Sequence, residues 1–314
     1  MPELTTRPEP LQQNICAVVV TYHPDEGLLS RLKSLLPHAG KIVLIDNASN
    51  EQARKNITQI CSDEPKIKAL FNDFNRGVAG ALNQGMAWAE VNGFAWVICF
   101  DQDSVVLPNF GPVLLGTYRD YAKSKGNLIH SVAIIGANYQ EKILNSSLLN
   151  NLQTSHQSWL EWPSPVTSGS LFSMKAFKEI GLFCNEYFID YVDTEYCYRA
   201  WCMNFQVLLS TQPSMIHSIG LPKRRRFLWR TVNIGQYPPR RWYTIGRNFA
   251  DLFKRFLWQK PSWCLAELNV LVRSAIKLFL FEELRWKKIA ALLRGVFHGL
   301  RGDFSSNPYY HQNP

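Results

Sequence analysis

Two aspartates stand close together after an apolar stretch of the chain. Residues 94–100 read FAWVICF, and Asp101 and Asp103 come directly after them in the sequence FDQDS. Neighbouring carboxylates repel each other unless a cation lies between them, and such oxygen ligands suit a Mg²⁺ or Mn²⁺ ion that also binds substrate phosphates. The alternative is a polar turn that caps the next helix. The position of the pair at the end of a predicted strand favours the metal site.

A second acidic group follows later in the chain. Residues 189–200 read IDYVDTEYCYRA, which places Asp190, Asp193 and Glu195 before and within the start of a predicted helix. A carboxylate at a helix N-terminus ionises easily and can accept a proton from a hydroxyl nucleophile. The structural alternatives are a helix cap at Asp193 and an ordinary i,i+4 ion pair between Glu195 and Arg199.

Two more polar sites adjoin predicted elements. Asp46 ends the apolar segment KIVLID, where a carboxylate can bind a nucleoside base or ribose, or can form an N-cap or Asx turn. Asn75, Arg76 and Gly77 precede a predicted helix over 77–91. A helix N-terminus with an adjacent arginine is an anion site, and Asn75 as a plain N-cap is the alternative.

His217 is a lone histidine in the segment PSMIH, after a predicted strand. Such a residue is more often structural than a ligand. It becomes a candidate metal ligand only if the fold brings it to Asp103.

In the segments that must position these residues, the spacing of apolar side chains alternates between that of a strand and that of a helix. The patterns predict strands at 15–22, 41–46, 66–71 and 94–100, with helices at 25–36, 51–61 and 77–91 between them. This series predicts a parallel sheet with right-handed crossovers, and ligands of such sheets bind beyond the carboxyl ends of the strands. Tyr22, Asp46 and Asp101 all fall there. The first turn reads TYHPDEG rather than GxGxxG, which argues against a dinucleotide-dependent dehydrogenase.

The middle of the chain is more mixed. Residues 132–220 predict strands at 132–137 and 206–210, helices at 174–180 and 193–204, and a polar loop at 145–158. No internal repeat accompanies them.

Length and composition indicate one large catalytic domain with an appendage. The 314 residues are 46% hydrophobic and 19% charged, which excludes disordered and collagen-like classes. The first 14 residues form no signal peptide and predict a flexible N-terminus, and no run of about 18 apolar residues predicts a membrane span. The seven cysteines form no CxxC pair, which is typical of reduced thiols in the cytosol.

The formal charge of +9 comes from one end of the chain. Residues 221–314 carry 18 Lys and Arg against 5 Asp and Glu, whereas residues 1–220 carry 16 against 20. Such asymmetry indicates an anionic partner for the basic part.

Taken in order, these motifs resemble glycosyltransferase family 2, inverting enzymes of the GT-A (nucleotide-diphospho-sugar transferase) fold. The resemblance covers about residues 15–250 and rests on VVVTYHP, IDNAS, NRGVAGALNQG, FDQDS, SGSLFSMKAFKEIGLF and FIDYVDTEYCYRA, followed by His217. FDQDS, GLFxxxYFIDYVDTEYCYR and RRWYTIGRN look most like the bacterial rhamnosyltransferase branch. That resemblance implies transfer of L-rhamnose from dTDP-L-rhamnose to a lipid-linked or growing saccharide, in the synthesis of O-antigen or a similar cell-surface polysaccharide.

The resemblance also implies a role for each candidate residue. Donor-binding residues are Thr21 and Tyr22 at the nucleotide, Asp46 at the base, Asn75, Arg76 and Gly77 along the donor, Asp101 at the ribose, and Gly169 in a loop that closes over donor sugar and acceptor. Asp103 binds Mg²⁺ or Mn²⁺ with His217 as a further ligand, and Asp193 is the catalytic base with Glu195 beside it. Many relatives have an acidic residue before the base, where this chain has Val192. Asp190 or Glu195 would then take that supporting role.

The resemblance and the composition together divide the chain into a flexible N-terminus at 1–14, a GT-A domain at 15–222 and a basic, amphipathic helical region at 223–314. In the last region a helix from about 266 to 300 carries an apolar stripe beside a basic side. The stripe consists of Leu268, Val272, Ala275, Phe279, Trp286, Ile289, Leu293 and Val296. This pattern suits the surface of an anionic bilayer, which predicts a peripheral enzyme on the cytoplasmic face of the inner membrane.

Other interpretations remain beside these. The stripe would alternatively pack on the catalytic domain with its charges solvated, while nucleic-acid binding is disfavoured because the helix is too apolar and lacks a binding motif. A UDP-sugar is the alternative donor. A nucleotidyltransferase would show a Gly-rich phosphate loop after the first strand, which TYHPDEG is not. A non-catalytic binding protein is disfavoured because Asp103 and Asp193 are both intact.

Overall fold

The computed structural model describes residues 8–141, 157–217, 223–227, 230–234 and 237–305. Most of the polar loop expected at 145–158 therefore lies outside the described residues, as do residues 1–7 of the expected flexible N-terminus. Residues 8–14 are held against the body of the protein. The carbonyl of Pro8 accepts a hydrogen bond from the indole of Trp96 at 2.8 Å, and Glu9 pairs with Arg119 at 2.9 Å.

The first third of the chain forms the parallel half of a large sheet, as the alternating pattern predicts. Its elements are β1 (Ile15–Thr21), α1 (Leu28–Leu35), β2 (Lys41–Asp46), α2 (Glu51–Asp63), β3 (Ile67–Phe71), α3 (Gly77–Val91) and β4 (Trp96–Asp101). The strand order is β3-β2-β1-β4, and all three pairings are parallel. The carboxyl ends of β1, β2 and β4 consequently meet at one edge, where Thr21, Asp46 and Asp101 are the last strand residues.

The rest of the described sheet is mixed in direction. The elements are β5 (Val105–Val106), α4 (Phe110–Lys125), β6 (Val132–Glu141), β7 (Trp159–Glu161), β8 (Leu171–Ser173), α5 (Met174–Ile180), α6 (Val192–Cys202) and β9 (Gln206–His217). Antiparallel β8 lies between β4 and β6, and β9 runs parallel to β6 while pairing antiparallel with β5 and β7. The sequence pattern missed these reversals, and β9 extends seven residues beyond the predicted strand at 206–210.

Helices cover both faces of this sheet. Alternate residues of β1 point to opposite sides, so that Ala17 and Val19 join one apolar cluster while Cys16 and Val18 join the other. The first cluster includes buried residues of α1, α2 and α4, and the second includes those of α3, α5 and α6. A sheet buried on both faces explains why its strands read as nearly continuous apolar runs.

The C-terminal region contains a two-stranded ribbon and three helices. They are β10 (Lys223–Phe227), β11 (Arg230–Ile234), α7 (Pro239–Phe256), α8 (Pro261–Phe281) and α9 (Arg285–Arg301). Helices α7 and α9 approach closely because glycines lie at their contact. A Cβ at Gly246, Gly295 or Gly299 would overlap backbone atoms of the opposing helix. The single helix predicted at about 266–300 is wrong, since the chain breaks at residues 282–284 and Leu284 adopts φ 54°.

The break changes which residues share a face. Of the stripe expected on one helix, Val272, Phe279, Trp286 and Leu293 are exposed. Leu268, Ala275 and Ile289 are instead partly buried, and they pack against a cluster that includes Leu271, Leu278 and Leu292, which were not part of the predicted stripe. Within the described residues, no helix is both long enough and apolar enough to cross a membrane.

Candidate active site

A cleft of about 510 Å³ opens where β4 ends and α6 begins. It brings together the two acidic groups that lie far apart in the sequence, because Asp101 and Asp103 line one side and Asp190 and Asp193 line the other. Its remaining walls are Val78, Val166, Thr167, Ser168, Ile189, Tyr191, Val192, Tyr237 and Arg241. The convergence of Asp103 and Asp193 in one cleft is what the chemistry inferred from the sequence requires.

The loop that carries Asp101 and Asp103 is fastened at the residue between them. The side chain of Gln102 accepts a hydrogen bond from the Tyr22 N–H at 2.7 Å and donates to the Tyr22 carbonyl at 3.2 Å. Arg31 donates to the Gln102 carbonyl at 2.5 Å. The end of β1 therefore sets the position of this loop, and both aspartates are left exposed to the cleft.

Serines buried beneath the loop fix it from below. Ser168 accepts from the backbone N–H of Asp101 at 3.2 Å and shares a 2.6 Å hydrogen bond with Ser104. Gly169 follows with φ +80°, and a Cβ there would overlap the side chain of Met215. The requirement for glycine at this position is therefore both conformational and steric.

The donor set at this loop fits a divalent cation whose shell is completed by a ligand. In the part of the chain that the structure describes, no three His, Cys, Asp or Glu side chains gather into a complete metal site. Two cleft carboxylates with room for diphosphate oxygens match the way Mg²⁺ and Mn²⁺ bind alongside substrate phosphates. Val105 pairs with Ile216 in the sheet, which brings the backbone of His217 beside Ser104. Ser104 directly follows Asp103 in the chain.

Asp193 lies in the first turn of α6. Its Oδ1 accepts from the Thr194 N–H at 2.8 Å. Burial raises the pKa of Asp193 above its ordinary value, and the nearby charge of Asp190 acts in the same direction, although backbone hydrogen bonds oppose the shift. The easy ionisation expected at a helix N-terminus is therefore outweighed by desolvation. A carboxylate with a raised pKa is a stronger base.

The turn before Asp193 has a strained backbone. Phe188, Asp190 and Tyr191 all adopt positive φ, at 39°, 65° and 62°. Such conformations cost energy in residues with a Cβ and persist only where the surroundings enforce them. Here Asn248 of α7 donates to the carbonyls of Tyr187, Ile189 and Asp190 at 2.9–3.0 Å.

Arg241 of α7 binds the same turn from the cleft side. Its guanidinium contacts both carboxylate oxygens of Asp190, the shortest distance being 2.9 Å. Asp190 therefore lines the cleft with its charge balanced by Arg241. Helix α7, which the sequence assigned to a basic appendage, thus contributes to the wall of the cleft.

Glu195 lies elsewhere than the sequence suggested. It is only 1% exposed, does not line the cleft, and pairs with Arg199 at 2.8 Å and with Arg255 of α7 at 2.7 Å. The i,i+4 pair with Arg199, which the sequence left open as an alternative, is present. With two arginines on its oxygens, Glu195 has no access to substrate and joins α6 to α7.

Asp46 is also internal. It is fully buried, accepts from Thr21 at 3.2 Å and from the Ser49 hydroxyl at 2.5 Å, and lies 3.6 Å from Arg54. The Ser49 N–H bonds its second oxygen at 3.0 Å, which is the local turn that the sequence left as an alternative. Asp46 and Thr21 therefore organise the loop after β2, and Tyr22 is the exposed residue of this group.

The start of α3 does not present free amides for an anion. The N–H groups of Arg76, Gly77 and Val78 bond Asn47 at 3.2 Å, Asn75 at 2.8 Å and the Phe188 carbonyl at 2.6 Å. Gly77 has φ +73°, and a Cβ there would lie 2.6 Å from the Phe188 carbonyl oxygen.

The Arg76 side chain likewise points away from the cleft. It stacks on Phe74 at 4.7 Å and lines a separate groove. Asn75, Arg76 and Gly77 thus support the turn before Asp193, and of this helix start only Val78 lines the cleft.

Several site residues escaped the sequence analysis. Gln102, Ser168, Arg241 and Asn248 act by holding other residues, and only the motif RRWYTIGRN hinted at the last two. Burial raises the pKa of Glu267 of α8, and the nearby charge of Asp193 adds to that rise. Nothing in the spacing of residues indicated that contact.

Comparison with known proteins gives the family. The model for glycosyl transferase family 2 matches residues 16–181, more than half of the chain. The chain belongs to glycosyltransferase family 2. It is 29% identical over 253 residues to the dTDP-rhamnosyl transferase RfbF of Shigella flexneri, which covers 78% of this chain and 81% of that protein. The chain is therefore a glycosyltransferase, as the resemblance implied.

Solved structures give the fold. GalNAc-T7, solved with UDP, GalNAc and Mn²⁺, superposes with a TM-score of 0.57 at 14% identity, covering 94% of this chain and 58% of that one. The mannosyltransferase PcManGT from Pyrobaculum calidifontis, solved with GDP-Man and Mn²⁺, superposes with a TM-score of 0.53 at 16% identity. The match covers 91% of this chain and 87% of that one. The expected GT-A fold is confirmed.

Proposed function

We propose that this family 2 enzyme is an inverting, metal-dependent hexosyltransferase that moves L-rhamnose from dTDP-L-rhamnose to a lipid-linked or growing saccharide. The observation that carries the proposal is the single cleft lined by Asp101 and Asp103 on one side and by Asp193 on the other. The two sides fit the two ends of a sugar transfer. One end stabilises a departing diphosphate, and the other removes a proton from the acceptor.

Asp193 is the base in this proposal. An acceptor hydroxyl must lose its proton as the new glycosidic bond forms, and a positioned carboxylate with a raised pKa suits that task. Backbone N–H groups, including that of Thr194, hold the carboxylate in place where it lines the cleft.

Asp103 would hold Mg²⁺ or Mn²⁺, with His217 as a further ligand, and Asp101 would lie at the ribose of the donor. A divalent cation bound there neutralises the charge that develops on the leaving diphosphate. Gln102 and Ser168 keep the two aspartates in place before the donor binds.

The distribution of carboxylates favours inversion. A double displacement requires a second carboxylate as nucleophile close to the sugar carbon. On the base side of the cleft Asp190 is neutralised by Arg241, and Glu195 is buried between two arginines. Among the carboxylates that line the cleft on that side, Asp193 is then the one whose charge is not balanced by an arginine, which is sufficient for a single displacement.

The choice of dTDP-L-rhamnose rests on the relative from Shigella flexneri and on the shared motifs. The test is to mix purified protein with Mg²⁺ or Mn²⁺ and a panel of nucleotide sugars, and to measure nucleotide release and thermal stabilisation. Stabilisation and dTDP release with dTDP-L-rhamnose alone would support the proposal. A response confined to a UDP-sugar would replace the donor, and no response to any donor would contradict the function.

We propose that the enzyme acts at the anionic, cytoplasmic surface of the inner membrane. Exposed apolar residues on α8 and α9 share one spacing, i, i+7, i+11 and i+14, and the two rows join where Phe279 meets Trp286 at 5.5 Å. The rows are Leu265, Val272, Ile276 and Phe279 on α8, and Trp286, Leu293, Phe297 and Leu300 on α9. Arginines border them, including Arg285 over the Phe279 ring and Arg301 over the Phe297 ring. An apolar face with basic edges suits insertion at an anionic bilayer surface, where a lipid-linked acceptor would be found.

This membrane proposal is tested with the variants Trp286→Glu and Leu293→Glu. Both side chains are well exposed, so the folded state should tolerate the changes. We expect salt-sensitive binding of the unaltered protein to vesicles that contain phosphatidylglycerol, and its loss in both variants. Val91→Glu is the control because Val91 is also an exposed apolar residue but lies at the end of α3. Equal vesicle binding by all four proteins would contradict the proposal.

A further inference from the structure

A second cavity of about 370 Å³ adjoins the cleft on the side of the base. It lies between the start of α6 and helices α7 and α8, and it shares Asp190, Tyr191 and Tyr237 with the cleft. Thr194, whose N–H bonds the base, forms part of its wall. The cavity therefore shares walls with the cleft next to Asp193, which itself lines only the cleft.

The walls of this cavity combine aromatic rings with polar groups. Tyr191, Tyr237 and Trp242 supply the rings, and Tyr237 and Trp242 meet edge to face at 6.2 Å between centroids. Ser274 and Lys277 of α8 add hydroxyl and ammonium donors. Flat aromatic faces bind the C–H faces of a sugar ring, and scattered polar groups bind its hydroxyls.

One polar group in the wall lacks a partner. Trp242 is 3% exposed, and its indole N–H makes no hydrogen bond within the described residues. Buried tryptophan N–H groups usually find an acceptor, because an unpaired donor costs free energy. The N–H itself is covered by protein atoms, so a ligand in the cavity would contact the indole ring rather than this donor.

We propose that this cavity is the acceptor subsite, which holds one sugar ring of the acceptor saccharide beside Asp193. The inference rests on the proposed function and adds to it the position of the acceptor. The volume falls within the range of about 300–1,000 Å³ that is usual for small-ligand sites. The donor is held at Asp101 and Asp103 across the cleft, so that the two sugars meet at the base.

A consequence is that the C-terminal helices select the acceptor. Trp242 belongs to α7, and Ser274 and Lys277 belong to α8, while the donor side of the cleft is built from the sheet. Changes on α8 should therefore alter acceptor binding and leave donor binding intact.

The inference is tested by saturation-transfer NMR on the full-length protein with Mg²⁺. The probes are dTDP, UDP and four methyl glycosides, namely α-L-rhamnoside, α-D-glucoside, α-D-galactoside and N-acetyl-β-D-glucosaminide. Ser274→Trp fills the cavity from α8, and Ser262→Trp makes the same change at an exposed position in the first turn of the same helix, outside the cavity. Trp242→Phe keeps an aromatic ring and removes the indole N–H.

We expect at least one glycoside to receive saturation from the unaltered protein and from Ser262→Trp, and to lose that signal in Ser274→Trp. Trp242→Phe should weaken its binding, because the smaller ring reduces the aromatic wall against which the sugar packs. The nucleotide signal should persist in all three variants, which also shows that they are folded.

Two results would overturn the acceptor subsite. They are nucleotide binding without saturation of any glycoside, and glycoside signals that survive both Ser274→Trp and Trp242→Phe. Failure of the unaltered protein to bind either nucleotide would instead contradict the proposed function itself, whatever the glycosides do.

Discussion

Replacing Asp193 by asparagine tests the base assignment with little change in shape. The asparagine oxygen can still accept the 2.8 Å hydrogen bond from the Thr194 N–H, so the first turn of α6 should be preserved. The substituted side chain cannot take up a proton from the acceptor. Since positioned acid–base groups contribute about 10²–10⁴-fold to a rate, we expect kcat to fall by that factor.

Stability should change in the opposite direction from activity. Burial raises the pKa of Asp193, which means that folding disfavours the ionised form of this side chain. At pH 7 the unaltered protein carries that penalty, whereas the Asp193→Asn variant does not. We therefore expect its melting temperature to be equal to or higher than that of the unaltered protein.

The assay measures three quantities for each protein: kcat for nucleotide release with acceptor present, the Kd of the donor by calorimetry, and the melting temperature. Asp63→Asn at the exposed end of α2 is the control for an aspartate outside the site. A donor Kd raised in parallel with the loss of kcat, in a protein that melts normally, would refute the assignment of Asp193 as base. Unchanged kcat would refute it as well.

Three further predictions follow from the same contacts. Because burial raises the pKa of Asp193, the acid limb of the kcat/KM profile should lie at a higher pH than the pKa of an ordinary aspartate. An acid limb near pH 4 would contradict this. Arg255→Met removes one of the two arginines that pair with buried Glu195. We expect it to lower the free energy of unfolding, measured by urea titration, by about 1–3 kcal/mol, less than the loss for a buried carboxylate with a single partner. No change would mean that the ion pair between Glu195 and Arg255 does not contribute to stability. Asn248→Ala leaves three carbonyls of the strained turn without the Asn248 donor. We expect the free energy of unfolding to fall by about 2–4 kcal/mol and kcat to decrease, with the donor Kd unchanged. An unaltered kcat would show that other contacts hold the turn.

The part of the site that the sequence predicts best is the part built by local rules. Asp101 follows a strand whose apolar run is unmistakable, and parallel strands end at a common edge, so its position follows from pattern alone. The meeting of Asp103 with Asp193 follows less directly. It depends on β8, a three-residue strand that reverses direction and turns the later chain back towards β4, and three residues carry too little periodicity to reveal a strand.

Residues whose role depends on a neighbour were the hardest to place. Glu195 carries the same charge as Asp193 and lies two positions along the same helix, but a step of two residues on a helix points to a different side. That step turns Glu195 towards Arg199 and Arg255 and leaves Asp193 at the cleft. The sequence shows both carboxylates, and only the position of α7 tells which one can meet a substrate.

The same helix explains why net charge alone misjudges the C-terminal region. Arg241 and Arg255 neutralise Asp190 and Glu195, and Arg247 is buried with a hydrogen bond to the Glu186 carbonyl at 2.7 Å. The basic excess of the last third is thus partly the counter-charge of the acidic site. Removing residues 223–314 would therefore leave Asp190 unpaired, take one arginine from Glu195 and expose the strained turn before the base. Such a truncation would lose donor turnover and vesicle binding together, so only substitutions on the exposed rows of α8 and α9 can separate membrane attachment from catalysis.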